Sequence, residues 1–398
     1  MSTINSKSLR IGLVLPAVPG YSETFFRSKI KGLQEHGHEV ILFVRNRDRK
    51  ADIDCRVVVA PQLSGNPIRR LIRTLGAIAQ VKIKAFGPTL RFWRLERRSG
   101  SSLLQSTRRL AINAHILPFR LDWIHFGFAT MAVDAELVGK AIGARTAVSF
   151  RGYDINLFPL KNLGVYDRLW KNVDKVHSIS KDLYHKAIEL GLSAEVPHSI
   201  ITPAIDLKGF PYRPHELFKD GKIRLLTVSR LHWIKGLEDV IRSVGLLKDR
   251  GIDVNLTLVG EGSEFERLTL AAHQEEVRSQ VEFCGRVDHG KIPDLLESHD
   301  IFIQYSFEEG FCNAVLEAQG SGILTVASDG GGLKENVLDN ETGWIVPKRD
   351  PEALAEKITS LVEKNPEDLL RITDIARKRV ERDFSLEKQQ REFVSFYL

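Results

Sequence analysis

Two glutamates, Glu309 and Glu317, stand eight positions apart, around a Gly-Phe pair and the apolar run Ala314-Val315-Leu316. The stretch follows a strand-like segment, Asp300–Tyr305, so it reads as strand, loop and helix start. Glu309, on a loop at the strand's carboxyl end, can meet sugar hydroxyls. The amides of Gly310, Phe311 and Cys312 open the helix, where free N–H groups and the positive end of the dipole suit phosphate or sugar oxygens. Glu317, inside the helix, can accept two hydrogen bonds from a ribose diol. One carboxylate for a sugar, one for a ribose and amides between them describe a sugar-nucleotide site. Two solvated glutamates flanking a buried helix are the plainer reading of the same spacing.

Other residues have chemistry to offer. Arg230 and Lys235 follow a strand and precede a helix, where two cations can neutralise a departing diphosphate; a solvated basic loop is the alternative. Gly260 and Gly262 form a Gly-x-Gly turn after a strand, for phosphates or for backbone reasons alone. Gly20, in the first loop, is either a close-approach point for phosphates or a plain turn glycine. Arg151 follows a strand ending at Phe150 and can meet an acceptor or a phosphate, or pair with Asp154. His125 sits at another strand end, where a lone histidine is more often structural than functional. Asp52 and Asp54 form an Asp-x-Asp pair beside the charged run Arg45–Lys50 and read as solvated surface, with no metal role.

The stretch from Glu309 to Glu317 resembles the Glu-x7-Glu signature of family 4 retaining glycosyltransferases. Val228–Gly236, Leu258–Gly262, Phe283–Val287, Gly330–Glu335 and Thr342–Val346 resemble further segments of that family, in order. Ser22–Phe26 and Arg151–Asp154 are similar to bacterial exopolysaccharide members, of the colanic acid and amylovoran type. Cys312 departs from the pattern, since many members carry a second glycine there. The resemblance implies the α/β GT-B fold, two Rossmann-like doubly wound domains facing a cleft. It implies a sugar transferred from a nucleoside diphosphate, of UDP or GDP type, to a hydroxyl acceptor with retained configuration. In that picture Glu309 positions the donor sugar, and Arg230 and Lys235 stabilise the diphosphate. Gly20, Gly260, Val287 and Gly310–Cys312 line the donor, with Val287 meeting the base through its backbone. Glu317 holds the ribose, while Arg151 and His125 face the acceptor. No cofactor or metal is implied. A sugar-nucleotide epimerase, a phosphorylase or a non-catalytic binding protein are the competing readings.

The elements that must position these residues fit that picture. A chain of 398 residues exceeds one ordinary core. Hydrophobic content of 43% and charged content of 27% are globular values. Apolar strand-like runs at Arg10–Pro16, Glu39–Val44, Trp123–Phe126, Ala147–Phe150 and Lys175–Ile179 alternate with helical stretches, as in a parallel sheet covered on both faces. Ser22 reads as the cap of the first helix, with Glu23 in its first turn. The proline-containing stretch 202–214 reads as a linker, after which the alternation restarts. The reading is residues 1–205 as an acceptor domain, 206–375 as a nucleotide-sugar domain and 376–398 as helices returning to the first domain.

Three cysteines, widely spaced, argue against a disulfide framework or zinc site. Neither an 18-residue apolar run nor a signal-like N-terminus is present, so a cytoplasmic location is expected. The net charge of +6 is uneven: from Arg69 to Arg109 eleven Lys/Arg face one acid, Glu96, a net of +10. Ile68, Leu71, Ile72 and Leu75 recur at helical spacing there, and Leu90, Phe92, Trp93 and Leu95 interleave with arginines. Residues 69–109 thus read either as a peripheral face for the anionic inner surface of the plasma membrane or as core-packed helices with a solvated basic side. The former would suit a lipid-linked rather than a soluble carbohydrate acceptor. Nucleic acid is not expected, since no binding motif accompanies the charge.

Overall fold

The computed structural model describes residues 8–20, 24–46, 53–212 and 216–398. Ser22, Glu23 and Asp52 lie outside them. The described chain forms two compact units. The first runs to Ile179 and includes Leu183–Ile201 and Gln390–Leu398; the second holds Ser180–Asp182 and Thr202–Gln389. The change of unit therefore comes at Ile201, slightly before the expected boundary, and only the last part of 376–398 joins the first unit.

The first unit is built on seven parallel strands: β1 (Arg10–Ala17), β2 (Glu39–Asn46), β3 (Arg56–Val59), β4 (Trp123–Phe126), β5 (Arg145–Phe150), β6 (Lys175–Ser178) and β7 (His198–Ile200), in the order β3-β2-β1-β4-β5-β6-β7. Its central strands are unbroken apolar runs because both faces are covered; Ile11, Leu13 and Leu15 are all but inaccessible. The edge strands β3 and β7 are short and half-exposed, so no apolar run announces them. The last helix, Leu386–Tyr397, buries Phe393, Phe396 and Tyr397 in this core, and Trp123 Nε1 donates to the Tyr397 carbonyl at 3.1 Å.

The basic segment forms three helices, Pro67–Lys84, Phe86–Arg98 and Leu103–Asn113. The two readings of it divide between them. In Phe86–Arg98 the middle of the helix turns inward: Phe92 is fully buried, and so is Glu96, ion-paired to Arg109 at 3.0 Å and Arg168 at 2.6 Å, while Phe86 at the start stays exposed. In Pro67–Lys84 the apolar stripe from Ile68 to Leu75 lies exposed. No described helix is long and apolar enough to cross a membrane.

The second unit holds six parallel strands: β8 (Ile223–Val228), β9 (Val254–Val259), β10 (Val281–Gly285), β11 (Ile301–Gln304), β12 (Leu324–Ser328) and β13 (Trp344–Val346), in the order β10-β9-β8-β11-β12-β13. In each sheet the order reverses beside the first strand, between β1 and β4 and between β8 and β11. Loops at such a switch point diverge from one another and leave room for a ligand at the strands' carboxyl ends.

Candidate active site

β8 and β11 are adjacent, with Leu225 opposite Ile301. Lys235 lies in the turn Trp233–Lys235 after β8, and Glu309 in the loop between β11 and the helix Asn313–Ser321. The two side chains meet: Lys235 Nζ donates to Glu309 Oε2, with 12% and 19% of the side chains exposed. Ser306 Oγ donates to the same oxygen at 3.3 Å. Burial is the strongest single influence on Lys235 and pushes its pKa down, but its neighbours, the Glu309 carboxylate foremost, together outweigh it, and the lysine stays above its ordinary value. A protonated lysine and a fixed carboxylate thus share one pocket. Arg230, five residues before Lys235, is exposed and has no ion pair among the described residues.

Glycines let these loops stack backbone on backbone. Gly332 N–H donates to the Glu309 carbonyl at 2.8 Å, and a Cβ at Gly332 would stand 2.1 Å from the Gly310 carbonyl. Gly236, at φ 60°, lies against the Tyr305 carbonyl, where a Cβ would come within 2.3 Å. Gly260 is explained in the same way: at φ 137°, a Cβ there would stand 1.9 Å from the Ser229 carbonyl, and its N–H is taken by the Gly285 carbonyl at 2.8 Å. It therefore supports the loop that carries Arg230 and offers no amide to a phosphate, a correction to the donor-contact expectation.

The three-amide expectation for residues 310–312 is corrected in part. Cys312 N–H donates to Asn336 Oδ1 at 2.9 Å, and Asn336 Nδ2 returns a bond to the Cys312 carbonyl at 3.0 Å. The amides of Gly310 and Phe311 have no hydrogen bond among the described residues. Burial, then the Glu309 charge, push the Cys312 thiol up to about 12, so it stays protonated and is no nucleophile. The apolar cluster under β11 and β12 takes in the Cys312 side chain, which explains the tolerance of a side chain where a glycine is common. Glu317, on the following helix, accepts from His289 Nε2 at 3.0 Å, and this bond raises the histidine's pKa. Val287, two residues before His289, packs partly buried on the same cluster.

In the first unit, the Gly20 carbonyl accepts from Arg27 Nε at 3.2 Å, and a Cβ at Gly20 would meet nothing within 4 Å. Packing does not demand glycine there. The Arg151 guanidinium lies 4.1 Å from the Phe25 ring centroid and 5.0 Å from that of Phe26. Its backbone N–H donates to Asp154 Oδ2 at 3.1 Å, and Thr130 N and Oγ1 donate to the other oxygen. His125 does not face an acceptor. It is fully buried, with Nδ1 2.5 Å from Tyr397 Oη and 3.1 Å from Lys29 Nζ, and Nε2 2.7 Å from Ser149 Oγ. Its polar atoms are spent on tying β4 to β5 and to the terminal helix.

Residues 211–379, which hold Arg230, Lys235, Gly260, Val287, Glu309 and Glu317, match the family described as glycosyl transferases group 1. Over these residues the chain is similar to group 1 glycosyl transferases. Among curated relatives, WcaL of Escherichia coli K12, assigned as a glycosyltransferase of colanic acid biosynthesis, is 27% identical over 288 residues, 70% of either chain. The amylovoran biosynthesis glycosyltransferase AmsK of Erwinia amylovora is 27% identical over 284 residues, 69% of either chain. Among solved structures, Anabaena Alr3699/HepE in complex with UDP superposes at a TM-score of 0.72 with 17% identity, covering 97% of this chain and 98% of that one. The likeness takes in both Rossmann-like units and shows the GT-B fold.

The second unit positions these groups with residues that carry no motif signal. His289, Ser306 and Asn336 hold Glu317, Glu309 and Cys312 in place. None stands at a spacing that marks it; each becomes relevant only through the strand order that brings its loop to the same edge.

Proposed function

We propose that this protein is a retaining glycosyltransferase that moves a sugar from a nucleoside-diphosphate sugar, of UDP or GDP type, to a hydroxyl of a carbohydrate or lipid-linked acceptor in polysaccharide assembly. One observation carries the reading: Lys235 and Glu309 converge at the β8–β11 switch point, with Glu317 on the helix that follows. The biosynthetic roles in the names of WcaL and AmsK support polysaccharide as the product, and the UDP held by the Anabaena protein supports a nucleoside diphosphate as the donor's carrier.

Each residue then has a task. Lys235 and Arg230 meet the negative charge that grows on the diphosphate as the glycosidic bond breaks, and such a contact counts most in the transition state. The Gly310 and Phe311 amides add donors at the start of a helix. Glu309 orients the donor sugar, and Glu317 takes the ribose hydroxyls, exchanging its bond to His289. The acceptor attacks from the face the diphosphate leaves, and the leaving phosphate takes the acceptor proton. In this scheme fixed cations supply the positive charge, no metal is used and the reaction runs in the cytoplasm. Gly20 and Arg151 are the first-unit residues we assign to phosphate and acceptor.

The test is a thermal-shift screen of the full chain against UDP- and GDP-sugars, followed by product analysis with the stabilising donor. A ligand at about 100 times its dissociation constant stabilises by about 2.7 kcal/mol. Transfer with retained configuration supports the reading. A free isomerised donor, phosphorolysis, or binding without turnover would replace it.

A further inference from the structure

The helix Pro67–Lys84 begins at Asn66, whose side chain accepts from Arg69 N–H at 2.9 Å. Its inner face is ordinary: Ala77 and Val81 are buried. Its outer face is not. Ile68, Leu71, Ile72 and Leu75, at i, i+3, i+4 and i+7, are 71, 60, 64 and 56% exposed, and Ile83 near the end of the same helix is 87% exposed. Soluble helices turn such a stripe inward. The helix carries Arg69, Arg70, Arg73, Lys82 and Lys84 and no acid. The only acid between Arg69 and Arg109, Glu96, is buried and committed to Arg109 and Arg168, so it pairs with none of this helix's cations. Arg73 and Lys84 also border a cavity of about 1150 Å³ that Arg10, Arg56 and Arg120 line from other elements.

We infer that this helix is an in-plane anchor for an anionic lipid bilayer. Apolar side chains on a convex helix enter the acyl boundary without a matching pocket, and flanking cations reach the headgroups. A protein partner would need a complementary face of roughly 800 Å² on each side, and a stripe of aliphatic side chains on one helix is narrower than that. The charge selects an anionic surface over a neutral one. Phe86–Arg98 adds mainly long-range attraction, because Phe92 is packed inward and only Phe86, 67% exposed at its start, leaves a large apolar side chain outward. The inference goes beyond the proposed transfer reaction, since every donor residue named above except Gly20 lies in the other unit.

The test is co-sedimentation of the full chain with phosphatidylglycerol–phosphatidylcholine (1:3) vesicles and with phosphatidylcholine alone. Wild type should bind the anionic vesicles, with salt weakening the binding. I68S/L71S/I72S/L75S should lower that binding about tenfold or more, and R69Q/R70Q should reduce the preference for anionic over neutral lipid. The side chains replaced are exposed, so both variants should keep the wild-type melting temperature and its shift by sugar nucleotides. Equal sedimentation of wild type and the quadruple variant, or of wild type with both vesicle types, overturns the inference. So does a lipid-free wild type that is dimeric in light scattering while the quadruple variant is monomeric, because the stripe is then a contact between copies.

Discussion

Lys235 Nζ and Glu309 Oε2 share a hydrogen bond between residues 74 positions apart, across the seam between β8 and β11. The pair ties together the two loops that carry the proposed chemistry. It also keeps a lysine charged in a place where burial alone would favour its neutral form.

Replacing either partner leaves the other charged and largely out of water. Lys235→Ala and Glu309→Ala should each cost about 1–3 kcal/mol of stability, and the double variant less than the sum, with a coupling of about 0.5–3 kcal/mol. Urea denaturation of the four proteins measures this. Strict additivity would mean that the pair contributes no mutual stabilisation.

Lys235 also carries a kinetic expectation. Measured well below the melting temperature and at saturating donor, Lys235→Ala should lower turnover about 10²–10³-fold. Lys235→Arg, which keeps the charge, should recover part of it. Wild-type turnover in the alanine variant would reduce Lys235 to a structural ion-pair partner.

Glu317→Ala should weaken donor binding by about 1.5–3 kcal/mol, as a charged acceptor of ribose hydroxyls is lost. The same carboxylate raises the His289 pKa through its hydrogen bond. The pair is therefore complete below the ordinary histidine value, about 6.5, and fades as pH rises through the raised one. A ring-proton NMR titration should place His289 above that ordinary value in wild type and nearer to it in Glu317→Gln. An unmoved titration would separate His289 from Glu317 in solution.

Two glycines should respond in opposite ways. Gly260→Ala drives a methyl into the Ser229 carbonyl at a left-handed φ, so it should melt several degrees lower, with a loss of about 1–3 kcal/mol or more. Gly20→Ala meets open space and should melt like wild type. If Gly20 lies beside donor phosphates, that variant should instead raise the donor's KM. A stable Gly260→Ala protein with only donor binding impaired would restore Gly260 to the site.

The core of the first unit should be acid-sensitive. His125 and His177 are fully buried, and burial, followed by the Lys29 charge, holds both pKa values well below the ordinary one. Lys29 is itself held down by burial and by Arg151. Below about pH 6.5 the unfolded chain takes up protons that the folded one refuses, so stability falls as pH falls, by about 1.4 kcal/mol per pH unit for each histidine. Buried Glu136 and Asp154, with raised values, oppose this trend. The melting temperature should drop between pH 7 and pH 5 less steeply in His125→Asn/His177→Asn than in wild type. Parallel slopes would show that other groups set the acid sensitivity.

Most of the strands were legible in the chain because a buried parallel strand is a short apolar run closed by glycine or polar residues, a signal carried within a few positions. The central strands β1, β2, β4, β8, β9 and β11 declare themselves in this way, and so does the loop-to-helix step at Glu309–Glu317. The edge strands β3 and β7 do not, since one side of each has no neighbour to demand an apolar run. Residue types marked Lys235, Glu309 and Glu317 as groups with chemistry to offer. Only the tertiary structure decided what they touch: Lys235 on Glu309, His289 on Glu317, Asn336 on Cys312. It also buried His125, turned the Phe92 side of the basic segment inward and left the Ile68 stripe outward. Periodicity reports that a stretch has an apolar face. Which way that face points, and which distant loop lies beside it, follows from the order in which strands pair and from what remains to cover each helix.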